Sequence, residues 1–238
     1  MGINRLPFVL AVLAVVVLAA SALGTRAHLW SYRGGFQGLR LATICGLIAA
    51  ACALVSLAVP NLRSGAAGSL VAGIVLGLAV AYVPWQFMRQ ARVVPPIHDI
   101  STDLIDPPEF VAVLPLRAGA SNPASHGGAE VAAAQRQGYP DIEPLHLSAP
   151  PAAAFAQALA AARAMGWDLV AADPQSGRIE ATATSAWFGF KDDVVVRVRA
   201  VAAGSQVDVR SASRVGKSDV GANAKRIRAY LGKVAASR

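Results

Sequence analysis

Between Arg210 and Arg226 the chain reads RSASRVGKSDVGANAKR, a short stretch crowded with hydroxyls, cationic side chains, a carboxylate and an amide. Gly216-Lys217-Ser218 invites a nucleotide phosphate, as in a P-loop. Such a loop needs its first glycine where Ser211 stands, and it follows a parallel strand, whereas the strands here read as antiparallel. The acidic strand WDLVAAD also precedes the loop instead of following it, so no nucleotide is expected. A second chemistry is anion binding, because free N–H groups at a helix start attract negative charge and Arg214 and Lys217 stand beside this one. Against it, Ser218 or Asp219 can fill those N–H groups and simply begin the helix, which is the reading preferred here. A third is hydrolysis: Arg214, Asp219, Asn223 and Arg226 would line a groove, with Asp219 and Arg226 two turns apart on one helix face. Ser211, Ser213 and Ser218 have no histidine near them in sequence to act as base. An internal hydrogen-bonded network of these same residues is the expected alternative.

Two further groups could do chemistry. His98, Asp99 and Asp103 in IHDISTD resemble metal ligands, but neighbours in an extended chain point oppositely and no second histidine stands at ligand spacing; His126 and His146 are too scattered. The expectation is a segment pinned by hydrogen bonds, with no metal and no cofactor. Lys191, Asp192 and Asp193 follow Trp187, Phe188 and Phe190 in WFGFKDD. The aromatics are expected to close one end of the core, the alternative being a tip that touches membrane or lipid.

The elements that must position these residues divide the chain in two. No residue is charged from Leu6 to Thr25, from Leu41 to Leu62 or from Ser64 to Met88, so three bilayer-spanning helices are expected at about 6–24, 41–61 and 66–88. The formal charge of +8 divides with them. Residues 1–92 hold Arg5, Arg26, Arg33, Arg40, Arg63, Arg89 and Arg92 and no acid, which gives +7 and leaves +1 for the rest. Basic character therefore belongs to the anchor, beside anionic headgroups, and no nucleic-acid partner is implied. The first span is expected to be retained, although Ala20-Ser21-Ala22 imitates a signal-peptide cleavage site. More arginines flank the domain side than the other, which points that side to the cytoplasm. Gly73 and Gly77 form a small-xxx-small pattern, suited to packing within the anchor or to association with itself or other membrane proteins. Cys45 and Cys52 read as apolar packing residues. The spans carry no charged residue, which argues against a transporter.

The remainder is read as an extended segment and an Ala/Gly-rich loop over 93–138, then an α+β domain over 139–238. In the first, Glu109–Leu116 is a candidate short strand, and 117–138 a long surface excursion with a helical turn or two. In the second, punctuation and period-two alternation give the order β-α-β-β-β-β-α, an antiparallel sheet with helices on its apolar face. Val194, Val196, Val198 and Ala200 are expected to face the helices with Val207 and Val209, while Arg197, Arg199, Asp208 and Arg210 are expected to face water.

The motifs IHDISTD, YPDI, GFKDDVVVRVR and VDVRSASRVGKSDVGANAKRIR resemble the bacterial and plant family called domain of unknown function 1499, over roughly Pro95–Tyr230. The resemblance implies no established activity or catalytic residue, and some relatives look exported, which would place the domain outside. The expectation is a multi-pass protein of the bacterial inner (plasma) membrane, a non-enzymatic binding or scaffold module whose partners are the bilayer and other membrane proteins. The alternative is a membrane-bound, hydrolase-like enzyme with its site at the 211–226 turn.

Overall fold

The computed structural model describes residues 3–237, which divide into two compact units. One holds the residues up to Arg89 together with Ala186–Gly189; the other holds Gln90–Ser185 and Phe190 onward.

The first unit is built from α1 (Leu6–Arg26), α2 (Tyr32–Ala58), the single turn α3 (Pro60–Arg63) and α4 (Ala67–Val93). α1, α2 and α4 are long and apolar enough to cross a membrane. The last two are longer than the expected spans. α2 begins where the Ser31 hydroxyl accepts the Gly34 N–H, and α4 runs on through Arg89 and Arg92. Their packing is inverted relative to a water-soluble bundle. Ala14, Ala42, Ala49, Ala53, Gly73 and Gly77 are buried, while Leu13, Val16, Ile44, Leu47, Leu54, Val75 and Leu78 face outward. In lipid, exposed aliphatic chains cost nothing, and small residues let helices approach closely enough for dispersion to hold them. Gly46 and Gly77 mark one such crossing. A Cβ on Gly77 would run into the Gly46 carbonyl, and one on Gly46 would lie 2.8 Å from the Gly77 carbonyl oxygen. Gly73 abuts Phe8 of α1, so the small-xxx-small face is occupied within the unit. Cys45 packs in the same cluster, but Cys52 is exposed.

The second unit runs β1 (Asp99–Ser101), α5 (Gly128–Gly138), β2 (Leu145–Leu147), α6 (Pro151–Ala164), β3 (Asp168–Asp173), β4 (Arg178–Thr184), β5 (Lys191–Val201), β6 (Gly204–Ser213) and α7 (Ala222–Ala236). From β2 onward this is the expected order. The strands form one antiparallel sheet, β1-β6-β5-β4-β3, and β2 shares the outer edge of β6 with β1. The β5–β6 turn falls on Ala202 and Ala203, ahead of the expected Gly204-Ser205, and Gly204 (φ +127°) opens β6 with no room for a side chain against Leu147 and Ser148.

On one face Ile179, Ala181, Val194, Val196, Val207 and Val209 pack under α6 and α7. Tyr230 stacks on Trp167 with ring centroids 5.0 Å apart and donates its hydroxyl to the Ala158 carbonyl at 2.9 Å. The period-two pattern predicts this face correctly except at Ala200, which is exposed near the end of β5. The other face is wet only in part, at Arg197 and Arg199, whose side chains are 19% and 39% exposed. Residues 102–127 cover it, leaving Asp208 and Arg210 0% and 1% exposed, and Phe110 and Val113 pack there on Val195 and Ala212.

That cover also replaces the expected strand at Glu109–Leu116. The N–H groups of Val111, Ala112 and Val113 converge on the buried Glu180 carboxylate at 3.0–3.1 Å, and a 3-10 turn follows at Leu114–Arg117. Three consecutive N–H groups aimed at one carboxylate are not available to a ladder. Farther along, α5 is a full helix, and its buried Gln135 exchanges both amide hydrogen bonds with the Ser101 backbone, as an adjoining strand would.

Candidate functional site

β6 delivers alternate residues to opposite faces of the sheet, and this decides which polar groups meet. Ser211 and Ser213 point toward α7, where Asn223 is wholly buried. The Asn223 amide is used at both ends. Its Oδ1 accepts the Ser211 hydroxyl at 2.7 Å and an Arg226 N–H, and its Nδ2 donates to Ser213 Oγ at 3.0 Å and the His98 carbonyl at 2.9 Å. Arg226 also donates to Ser211 Oγ at 3.0 Å and ion-pairs with Asp192 at 2.5 Å. The cluster thus ties β1, β5, β6 and α7 together at one end of the sheet.

α7 begins at Ala222, later than the expected start at Ser218 or Asp219. Gly221 (φ +83°) is left-handed, as is the β-branched Val220 (φ +54°), a conformation that costs free energy and must be held in place. Asp219 holds it, accepting the N–H groups of Gly221 at 2.8 Å and Asn223 at 2.7 Å, while Ser218 Oγ accepts that of Val220. The N–H groups of Gly221, Ala222 and Asn223 at the helix start are therefore occupied by Asp219. Burial pushes the Asp219 carboxyl above its ordinary range and Asp192 adds to this, against the two N–H groups and Arg226, which pull it down.

Arg214 does not join this set, which corrects the groove expected of Arg214, Asp219, Asn223 and Arg226. Two residues beyond Ala212, it lies on the opposite face, bidentate to the wholly buried Asp193 at 2.7 and 2.9 Å. Asp193 also accepts Arg117 at 2.7 Å and the Thr182 hydroxyl at 2.8 Å. Farther along that face Arg210 is bidentate to Asp99 at 2.7 and 2.9 Å and donates to the carbonyls of Pro108 and Ala124. Phe110 lies under both Arg210 and Arg117, 4.7 and 5.5 Å from its centroid. Asn122 clasps the loop from this side, donating to the carbonyls of Ser213 and Gly216.

The residues weighed as metal ligands go to separate partners. His98 Nδ1 lies 3.4 Å from the Lys217 carbonyl, Asp99 pairs with Arg210, and Asp103 meets Arg197 and Arg199, each at 3.1 Å. Among the described residues no group of three His, Cys, Asp or Glu side chains could hold a metal ion. Asp103 also accepts the N–H groups of Ile105 and Asp106. Partial burial raises its carboxyl, but those two N–H groups, Arg199 and Arg197 outweigh it and hold the group below its ordinary range. Lys217 is exposed, and the Lys191 carbonyl accepts the Arg214 N–H. Trp187 and Phe188 lie outside the domain core and group with the helical unit.

Reasoning from sequence missed Arg117, Glu180, Thr182 and Arg210 as members of a buried polar layer. A signal was present: Val195 and Ala212 interrupt the charged face, and apolar residues among charged ones mark a surface that something covers.

A family model described as a protein of unknown function, DUF1499, matches residues 99–234, from β1 into α7. Searches of curated proteins and of solved structures find no match.

Proposed function

The chain belongs to the DUF1499 family, and from that premise we propose that it is a non-enzymatic binding or scaffold module of the bacterial envelope. In this reading the three apolar helices hold it in the inner membrane, where it meets a glycan, a lipid or another membrane protein. The observation that carries the reading is the closure of the 211–226 cluster on itself. Ser211, the best-placed hydroxyl, is wholly buried between an amide and a guanidinium, neither of which can take its proton. The opposite face supports a binding role. A groove of about 260 Å³ runs between Asp106–Glu109 and Arg178, with Arg197 at its side, and beside it Ile105 stands 93% exposed on the turn fixed by Asp103. Partners within the membrane would use the outward aliphatic faces of the helices, since Gly73 and Gly77 are occupied.

Two experiments separate this from the hydrolase-like alternative. Photo-crosslinking from benzoylphenylalanine placed at Ile105 in living cells should give a discrete adduct; the absence of one would count against a docking face. A fluorophosphonate probe should leave the full chain unlabelled, and labelling lost in Ser211→Ala or Ser218→Ala would establish the alternative. A C-terminal reporter fusion decides between the cytoplasmic side favoured by the arginines and the exported side suggested by the family.

A further inference from the structure

The β4–β5 connection is closed at its base by Ser185 and Phe190, whose backbone and hydroxyl groups pair at 2.8 and 2.9 Å. Between them Ala186–Gly189 group with the helices. Arg26 donates to the Ala186 carbonyl at 2.8 Å, and Phe188 meets Phe36 with centroids 5.4 Å apart. Gly189 (φ +68°) lies so close that a Cβ would be 3.2 Å from Arg26. Those contacts fix the tip, yet Trp187 remains 64% exposed. Its indole borders a groove of about 170 Å³ whose other wall is Ala19, Ala22 and Leu23, and Leu23 is itself 61% exposed.

What lies against this groove follows from its place on α1. The helix has 21 residues, which at ~1.5 Å each about equals the hydrocarbon thickness of a bilayer. Its last turns therefore sit at the boundary of acyl chains and headgroups, where the amphipathic indole is most stable. Leu23 in the groove wall is exposed along with Leu13 and Val16 of the same span, and Arg26 and Arg33 stand at this end of α1 and α2, where positive charge suits lipid headgroups.

We infer that Ala186–Gly189 is a membrane-seated tip, with an acyl chain of a bilayer phospholipid lying between Trp187 and the Ala19–Leu23 wall of α1. The inference is independent of whether the domain binds or catalyses. The test uses the full chain in vesicles of phosphatidylcholine and phosphatidylglycerol containing a phospholipid with a photoactivatable diazirine in its acyl chain. Trypsin then releases Ile179–Lys191, carrying the tip, Ala200–Arg210, carrying the β5–β6 turn, and Leu41–Arg63 from α2. Lipid adducts on Ile179–Lys191 should exceed those on Ala200–Arg210 several-fold and map to Trp187 by fragmentation. Labelling confined to Leu41–Arg63 overturns the inference while leaving the anchor intact, and no labelling of either peptide overturns both.

Discussion

Glu180→Gln is the substitution on which the covered sheet face can be judged. The side chain is wholly buried and keeps its shape, so the change alters only what one atom offers. Oε1 accepts from Val111 and Ala112, and Oε2 from Val111 and Val113. A glutamine keeps one oxygen, which still serves two of the three N–H groups; the third meets an NH₂ that can only donate. The salt bridge from Arg178 at 3.2 Å also loses its charge. One charge-assisted hydrogen bond at about 1.5–3 kcal/mol, with the orphaned N–H left dry, gives a loss of roughly 2–4 kcal/mol. For a domain of this size that lowers the melting temperature by roughly 5–12 °C. Calorimetry of the full chain in detergent measures the loss, and hydrogen exchange locates it, because the amides of Val111–Val113 should be the first to lose protection. A melting temperature within about 1 °C of the parent, with unchanged exchange at those amides, would refute the idea that this carboxylate clamps the cover to the sheet.

Other perturbations follow from the same geometry. Asp193→Ala strands Arg117 and Arg214 beside an empty acceptor and should cost about 3–5 kcal/mol, more than Arg214→Ala, when the two are compared by thermal melts. Gly77→Leu drives a side chain into the Gly46 carbonyl and should cost at least about 1–3 kcal/mol, whereas Gly68→Leu, with open space around it, should be neutral; heat-induced aggregation in detergent compares them. Asp103, held below its ordinary 3.8, should stabilise its turn fully above that value and lose the contribution as pH falls through the lowered one. Carbon NMR of the carboxyl gives the midpoint, and amide exchange at Ile105 and Asp106 should rise over the same interval.

How much was legible beforehand can be argued from individual residues. Val194, Val196 and Val198 announce their face because apolar side chains at period two have only one stable destination. Asp193 and Arg210 carry no such announcement. A charged residue in an alternating strand reads as solvent-facing unless a distant segment is known to cover it, and the cover here comes from residues 102–127, whose own composition suggests a loose loop. Nearness in sequence groups Arg214 with Arg226, but the pleat of β6 and the start of α7 send them to opposite sides of the sheet. The aromatics at Trp187 and Phe188 are expected from sequence to close the core, and only their grouping with α1 and α2 takes them out of it.

By itself, the sequence determined the three apolar helices, the helix-facing half of the sheet and the family, because uninterrupted apolar runs, short periodicities and local motifs are properties of neighbouring residues. Only the tertiary structure decided that much of the second face is a buried layer of ion pairs and that Ser211, Ser213, Asn223 and Arg226 are spent on one another. Those outcomes depend on which distant groups meet, as Glu180 meets Val111–Val113 and Arg117 meets Asp193. Burial of a charge is settled by its partner, and that partner lies far away along the chain.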